Sequence, residues 1–230
     1  AYGGGMELWR KVYAPHGIIP FRAGNTGVQM GGWFNAEIES LEDIQGLKMR
    51  IPGLGGEVLE RAGGAPVLLP GGELFTSLQT GAIDATEWVG PYNDLAFGLH
   101  EAADYYYYPG WHEPGTTLEL IVNEAAYEKL PADLQAIVKY AAAHANQSML
   151  DEYTARNATA LEDLKAKHGV KVRPFPEEVL DELRRISAEV LKEESERSPL
   201  AKEIYDSFMT FKKRSEAYQA VSEEAYMEAR

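Results

Sequence analysis

Arg50 closes the run Leu47-Lys48-Met49-Arg50-Ile51 and is followed at once by Pro52-Gly53-Leu54-Gly55-Gly56. A guanidinium fork next to the N–H groups of a helix start makes a receptor for a carboxylate. Only six Lys or Arg residues occur in the first 115 positions, so a cation placed here is notable. The competing role is an ion pair with a neighbouring acidic side chain, and position alone leaves both open.

A second stretch, Ala23-Gly24-Asn25-Thr26-Gly27-Val28-Gln29-Met30-Gly31-Gly32-Trp33-Phe34, sets four glycines around polar amides and ends in two aromatics. Glycine lets another group approach the backbone, and Gln29 offers an amide oxygen or an N–H. A bulged strand would use the same residues. Glu87 sits beside Trp88, and Glu113 lies in the turn Pro109-Gly110-Trp111-His112-Glu113-Pro114-Gly115. Two carboxylates among tryptophans fit a glycosidase acid/base pair. They fit equally well a hard-cation site completed by the Gln29 amide and a backbone carbonyl, since oxygen-only donors select Na+, Ca2+ or Mg2+.

Other chemistry is excluded more firmly. The chain has no cysteine, which removes thiol nucleophiles, disulfides and iron–sulfur clusters. Gly53-Leu54-Gly55-Gly56 does not extend to a dinucleotide loop, because Val58 occupies the third glycine position. No phosphate-binding loop, serine elbow or zinc-protease motif is present, and the five histidines have no ligand-like spacing. Acidic residues outnumber basic ones 36 to 22, a net charge of −14 that disfavours nucleic acid and anionic membranes as partners. The 45% hydrophobic content is ordinary for a globular protein of 230 residues.

The elements that must hold these residues divide at about residue 115. Before it lie 21 of the 22 glycines and all four tryptophans. There, strands are expected at 47–51, 66–69, 83–89, 105–108 and 116–122, with helices at 57–62 and 73–79, a largely parallel α/β sheet. After it, residues 131–168 contain no glycine and no internal proline, with apolar groups at Leu134, Val138, Ala141, Ala145 and Met149. One helix of about 57 Å is expected, long enough to touch more than one lobe. A further helix from Pro176 should bury Val179, Leu183, Ile186 and Val190. A last one, after Pro199, carries Leu200, Ile204, Phe208, Phe211, Tyr218 and Val221 on one stripe. So aromatic a terminal helix needs either its own domain or a partner subunit to cover it.

Four segments together, GNTGVQMGGWF, LKMRIPGLGGEV, FTSLQTGAIDATEWVGP and YYYYPGWHEPG, resemble the extracytoplasmic solute-binding proteins of tripartite ATP-independent periplasmic (TRAP) transporters. The similarity runs over essentially the whole chain and is greatest to the branch binding 2-oxo acids such as pyruvate, or lactate, with a metal ion. It implies an α/β, periplasmic-binding-protein-like fold of two lobes around a cleft, with long helices at the C-terminal end. It implies capture of a small 2-oxo or 2-hydroxy monocarboxylate in the periplasm and delivery to membrane permease subunits, without catalysis.

By this resemblance Arg50 grips the carboxylate, and Gln29, Glu87, the Trp88 backbone oxygen and Glu113 hold Na+ or Ca2+. Trp88 replaces an asparagine common in the wider family, which points to the metal branch. Asn25, Gln29, Trp33, Phe34 and Trp88 are candidates to contact the solute. Residues 1–86 are expected to form a second lobe, 87–126 the remainder of the first lobe and the hinge strands, 127–198 the bridging and second-lobe helices, and 199–230 a helix exchanged in a homodimer. The family carries a leader and most of the first lobe ahead of the position matching Ala1, so a truncated chain is expected. The rival expectations are a metal-assisted lyase or hydrolase using Glu113, and a sensory binding module.

Overall fold

The computed structural model describes residues 2–230. In chain order it contains helix α1 (Gly5–Tyr13), strands β1 (Ile18–Val28), β2 (Gly32–Phe34) and β3 (Lys48–Arg50), then α2 (Gly53–Arg61), β4 (Ala65–Val67), α3 (Leu74–Gln79) and β5 (Ala85–Thr86). There follow α4 (Pro91–Ala96), β6 (Tyr105–Tyr108), β7 (Gly115–Asn123), α5 (Glu124–Glu128), α6 (Ala132–Ala166), β8 (Lys171–Pro174), α7 (Glu177–Glu196), α8 (Pro199–Gln219) and α9 (Glu223–Glu228). The chain divides into a larger unit, Phe21–Leu120 with Asp133–Val190, and a smaller one made of the chain up to Pro20, Ile121–Ala132 and Leu191–Arg230.

The larger unit is built on a six-stranded sheet in the order β4-β3-β5-β2-β6-β8. Strand β3 is parallel to β4 and β5, and β6 to β8, while β2 is antiparallel to both neighbours. The sheet is therefore mixed where a largely parallel one was expected, because β2 enters from β1 through residues 29–31 instead of a helical crossover.

Period-two alternation distributes the aromatic residues between the two faces. Trp33 pairs with Tyr106 and joins Leu74, Leu78, Ile83, Leu99 and Leu164 on one side. Phe34 and Tyr107 join Met49, Leu59, Phe175, Val179, Leu183, Ile186 and Val190 on the other. The tetratyrosine strand thus supplies both cores, lying between β2 and β8 in the same sheet as β3 and β5.

Two glycines allow close packing that a Cβ would block. Gly32 has φ of 127°, and a Cβ there would stand 2.7 Å from the Thr86 carbonyl oxygen on the adjoining strand. Gly56 lets the first turn of α2 lie on Ile51, whose carbonyl oxygen would be 2.9 Å from its Cβ. As a result α2 begins at Gly53, four residues earlier than the glycine run suggests.

Helix α6 is unbroken over 35 residues. Its buried positions are Ala142, Asn146, Ala160 and Leu164, not the expected stripe from Leu134 to Met149. Leu134, Ile137 and Tyr140 are exposed. Helical spacing identifies the helix without choosing which stripe meets a core. Helix α7 buries Val179, Leu183, Ile186 and Val190, as its periodicity predicts. β1 and β7 form a separate two-stranded sheet.

In the smaller unit α1 lies against α8, with Lys11 Nζ 2.5 Å from Glu203 Oε1 and Gly3 against the Phe211 ring. Phe208, Phe211, Tyr218 and Val221 are all more than half exposed. Among the described residues, no helix is long and apolar enough to cross a membrane.

Candidate functional site

Strand register sets the first pair of functional side chains. Arg50 and Thr86 are partners on the parallel strands β3 and β5, and Glu87 N–H donates to the Arg50 carbonyl at 3.3 Å. Both chains leave the sheet at the carboxyl ends of their strands, where α/β folds place ligands. The β5 ladder covers only Ala85 and Thr86 instead of the expected 83–89, so Glu87 and Trp88 are free to turn.

Arg50 Nη1 donates to Glu87 Oε1, and Nε donates to the Leu69 carbonyl at 3.2 Å. The other Glu87 oxygen lies 3.3 Å from His112 Nε2. Both the Glu87 and His112 side chains are only 3% exposed. The Arg50 guanidinium is 5.8 Å from the centre of the Trp88 ring. That ring packs on Phe97 and on Gly71, where a Cβ would come within 2.8 Å of it. The indole Nε1 is buried without an acceptor.

A second network is centred on Gln29. Its backbone N–H donates to the Pro114 carbonyl at 3.2 Å, and Met30 N–H to that of Val89 at 3.1 Å. Residues 29–30 are thereby held between the Glu87–Gly90 turn and the 109–114 turn. Gly110 permits this, since a Cβ there would be 2.7 Å from the Gln29 carbonyl oxygen. The buried Gln29 side chain donates from Nε2 to Thr26 Oγ1 at 3.1 Å and to Thr116 Oγ1 at 2.7 Å. Thr116 in turn donates to Glu113 Oε1. Gln29 Oε1 is buried and has no hydrogen-bond partner. The two networks meet in consecutive residues, His112 beside Glu87 and Glu113 joined to Gln29 through Thr116.

Gln29, Arg50, Glu87, Trp88 and Glu113 therefore belong to one neighbourhood of the larger unit. Among their charged groups, carboxylates exceed guanidinium by one. Among the described residues no three His, Asp or Glu side chains cluster as a metal site. The amide oxygen and two carboxylates here are the donor types of a hard, oxygen-preferring cation, and the orphaned Gln29 Oε1 is what such an ion would satisfy.

Two expected contacts fall elsewhere. Trp33 is fully buried, stacked on Tyr106 at 4.1 Å, and its Nε1 donates to Asp94 Oδ2 at 2.9 Å. Phe34 packs edge-on to Tyr107 and Phe175 in the opposite core. Both are core residues with no surface to offer a solute, because alternation in a strand covered on both faces buries every side chain. Asn25 turns its Oδ1 back to the Gly27 N–H at 2.9 Å, stabilising the local bend.

Four contributors escaped the sequence reading: Thr26, Thr116, His112 and Asp94. Asp94 accepts from Val89 and Gly90 N–H, Trp33 Nε1 and Tyr106 OH, at 2.7–3.1 Å, and so pins the turn after Trp88 to β2 and β6. Complete burial pushes its pKa up to about 6, against the lowering effect of those four donors. The acid just after Gly90-Pro91 was a usable signal for Asp94. The threonines carry none without their partners.

Comparison with known proteins places the chain in a wider group. The family model of bacterial extracellular solute-binding proteins, family 7, matches residues 7–197. The monocarboxylate 2-oxoacid-binding periplasmic protein of Nostoc sp. is 46% identical over 224 residues, 97% of this chain and 61% of that protein. A TRAP periplasmic solute binding protein from Pseudoalteromonas atlantica, solved with bound sodium and pyruvate, is 44% identical with a TM-score of 0.95. One from Colwellia psychrerythraea, solved with bound calcium and pyruvate, is 46% identical, also at 0.95. Both superpositions cover 100% of this chain and 70% of the other. The chain thus spans about three fifths of the curated relative's length.

Proposed function

Since the chain belongs to the bacterial extracellular solute-binding proteins of family 7, we propose that it captures a small 2-oxo or 2-hydroxy monocarboxylate through Na+ or Ca2+ in the periplasm and delivers it to the permease of a TRAP-type transporter. The observation that carries this reading is the buried, unpartnered Gln29 Oε1 in the network that holds Glu113, next to the Arg50–Glu87 pair.

Gln29, Glu87, the Trp88 carbonyl and Glu113 would hold the cation. When bound, it supplies positive charge that draws an organic anion toward an otherwise acidic protein. The chain's own residues do the rest. Arg50 has Nη2 and the second Nη1 proton available for a carboxylate, while Nε and one Nη1 proton anchor the group to Leu69 and Glu87. Trp88, wedged between Phe97 and Gly71, supplies an apolar wall that excludes water and strengthens these contacts. Asp94 holds the turn bearing the Trp88 carbonyl. Similarity to solute-binding proteins solved with pyruvate and sodium or calcium supports a cation-linked carboxylate as the ligand.

For the assembly, the proposal is a homodimer through 199–230, supported by the exposed Phe208, Phe211, Tyr218 and Val221. The test of function is calorimetry on chelator-treated protein with pyruvate, with and without Ca2+ or Na+. Cation-dependent binding is expected. Solute binding indifferent to cations would remove the bridging role, and turnover of pyruvate or lactate would favour the lyase reading of Glu113 instead.

A further inference from the structure

The two threonine hydroxyls beside Gln29 decide which way its amide faces. Thr116 Oγ1 gives its only proton to Glu113 Oε1. Thr26 Oγ1 gives its own to the Gly27 carbonyl at 2.9 Å and accepts the Thr116 N–H at 3.0 Å. Both oxygens can then only accept toward Gln29, so the atom 3.1 and 2.7 Å from them has to be the NH2 group. A flipped amide would set its carbonyl oxygen against two oxygens with no proton between them. Gln29 Oε1 is therefore held on the far side, buried and without a donor. Leaving such an oxygen unsatisfied costs about 1–3 kcal/mol. An arrangement that sustains this cost through two dedicated hydroxyls is preorganised for an electropositive ligand.

We propose that Thr26 and Thr116 are positioning residues of the cation site, locking the Gln29 amide with its oxygen toward the ion, and that Thr116 orients Glu113 through the same hydroxyl. The inference rests on the cation reading of the site given above. Thr116 is the stronger of the two because its one oxygen engages two of the expected ligands. Partners that orient metal ligands in this way change affinity by about 10–100-fold when lost.

The experiment uses the full chain, stripped of metal, in three forms: unaltered, Thr116→Val and Thr116→Ser. Ca2+ and Na+ are each titrated by calorimetry in all three forms and compared for the ion the unaltered protein binds, with Tb3+ luminescence sensitised by tryptophan as a second readout, and melting is recorded in chelator. The unaltered protein is expected to bind Ca2+. Thr116→Val should bind at least tenfold more weakly with little change in its metal-free melting, and Thr116→Ser should restore affinity to within about threefold. Equal affinity for that ion in Thr116→Val and the unaltered protein overturns the lock alone. Failure of the unaltered protein to bind either Ca2+ or Na+ overturns the cation reading, and the lock with it. Should Thr116→Val fail to fold, NMR of the unaltered protein decides: contacts between the Gln29 side-chain NH2 protons and Thr26 and Thr116 are expected, and their absence sinks the proposal.

Discussion

Arg50 and Glu87 stand at the ends of neighbouring parallel strands and form a buried ion pair, with side chains 11% and 3% exposed. Glu87 engages Nη1 and the Leu69 carbonyl engages Nε, and the proposed anion contact falls to the remaining Nη protons. Arg50→Lys would keep the charge and lose the fork. Pyruvate affinity is expected to fall roughly tenfold to a hundredfold, about 1.5–3 kcal/mol for charge-assisted hydrogen bonds. Calorimetry at saturating Ca2+ checks this, and unchanged affinity would remove Arg50 from the solute contact.

Glu87 should couple the two ligands. Glu87→Gln keeps the shape and removes one charge from the donor set, and donor charge is a main control of Ca2+ affinity. Both Ca2+ and pyruvate binding should weaken, each by at least about tenfold. A variant that loses pyruvate affinity while binding Ca2+ normally would show that Glu87 acts through Arg50 only.

Asp94 gives the larger unit a pH-dependent stability. Its folded pKa, about 6, lies above the ordinary 3.8. Between those values the folded chain binds more protons than the unfolded one, so this contribution is full below about pH 3.8 and is lost as pH rises through 6. The span corresponds to about 3 kcal/mol. In Asp94→Asn the dependence should vanish. The stability difference between wild type and variant, from urea unfolding, should shift against wild type from pH 4 to 6 and be level above. A constant difference would contradict this.

Gly32→Ala should destabilise the sheet by at least about 2 kcal/mol, since the position combines φ of 127° with a Cβ 2.7 Å from the Thr86 carbonyl oxygen. The strain falls on the strand pair that leads into Glu87. Thermal melting measures the loss, and a midpoint equal to wild type would mean that β2 can shift without cost.

The C-terminal helix supplies a test of assembly. Phe208→Asp combined with Phe211→Asp places charge on an exposed apolar face of α8. Light scattering is expected to show a dimer for the unaltered protein and a monomer for the variant. A monomeric unaltered protein at tens of micromolar would discard the exchanged-helix proposal.

Much of this protein was legible in its residues taken one after another. Glycine abundance before residue 115 and its near absence after it separate sheet from long helix. The strand at Tyr105–Tyr108 follows from the β-propensity of a run of tyrosines, and the buried stripe of α7 from a period of about 3.6, both properties of a single element. Residue types likewise exclude thiol chemistry and the common nucleotide, serine-hydrolase and zinc-protease motifs. Tertiary structure alone decided which stripe of α6 is covered, that Trp33 and Phe34 serve the cores, and that two threonines far apart in sequence, Thr26 and Thr116, orient Gln29. The physical reason is that periodicity and chemistry are carried locally, whereas a hydrogen-bond partner, or the face that meets a core, is set by which segments the fold brings together.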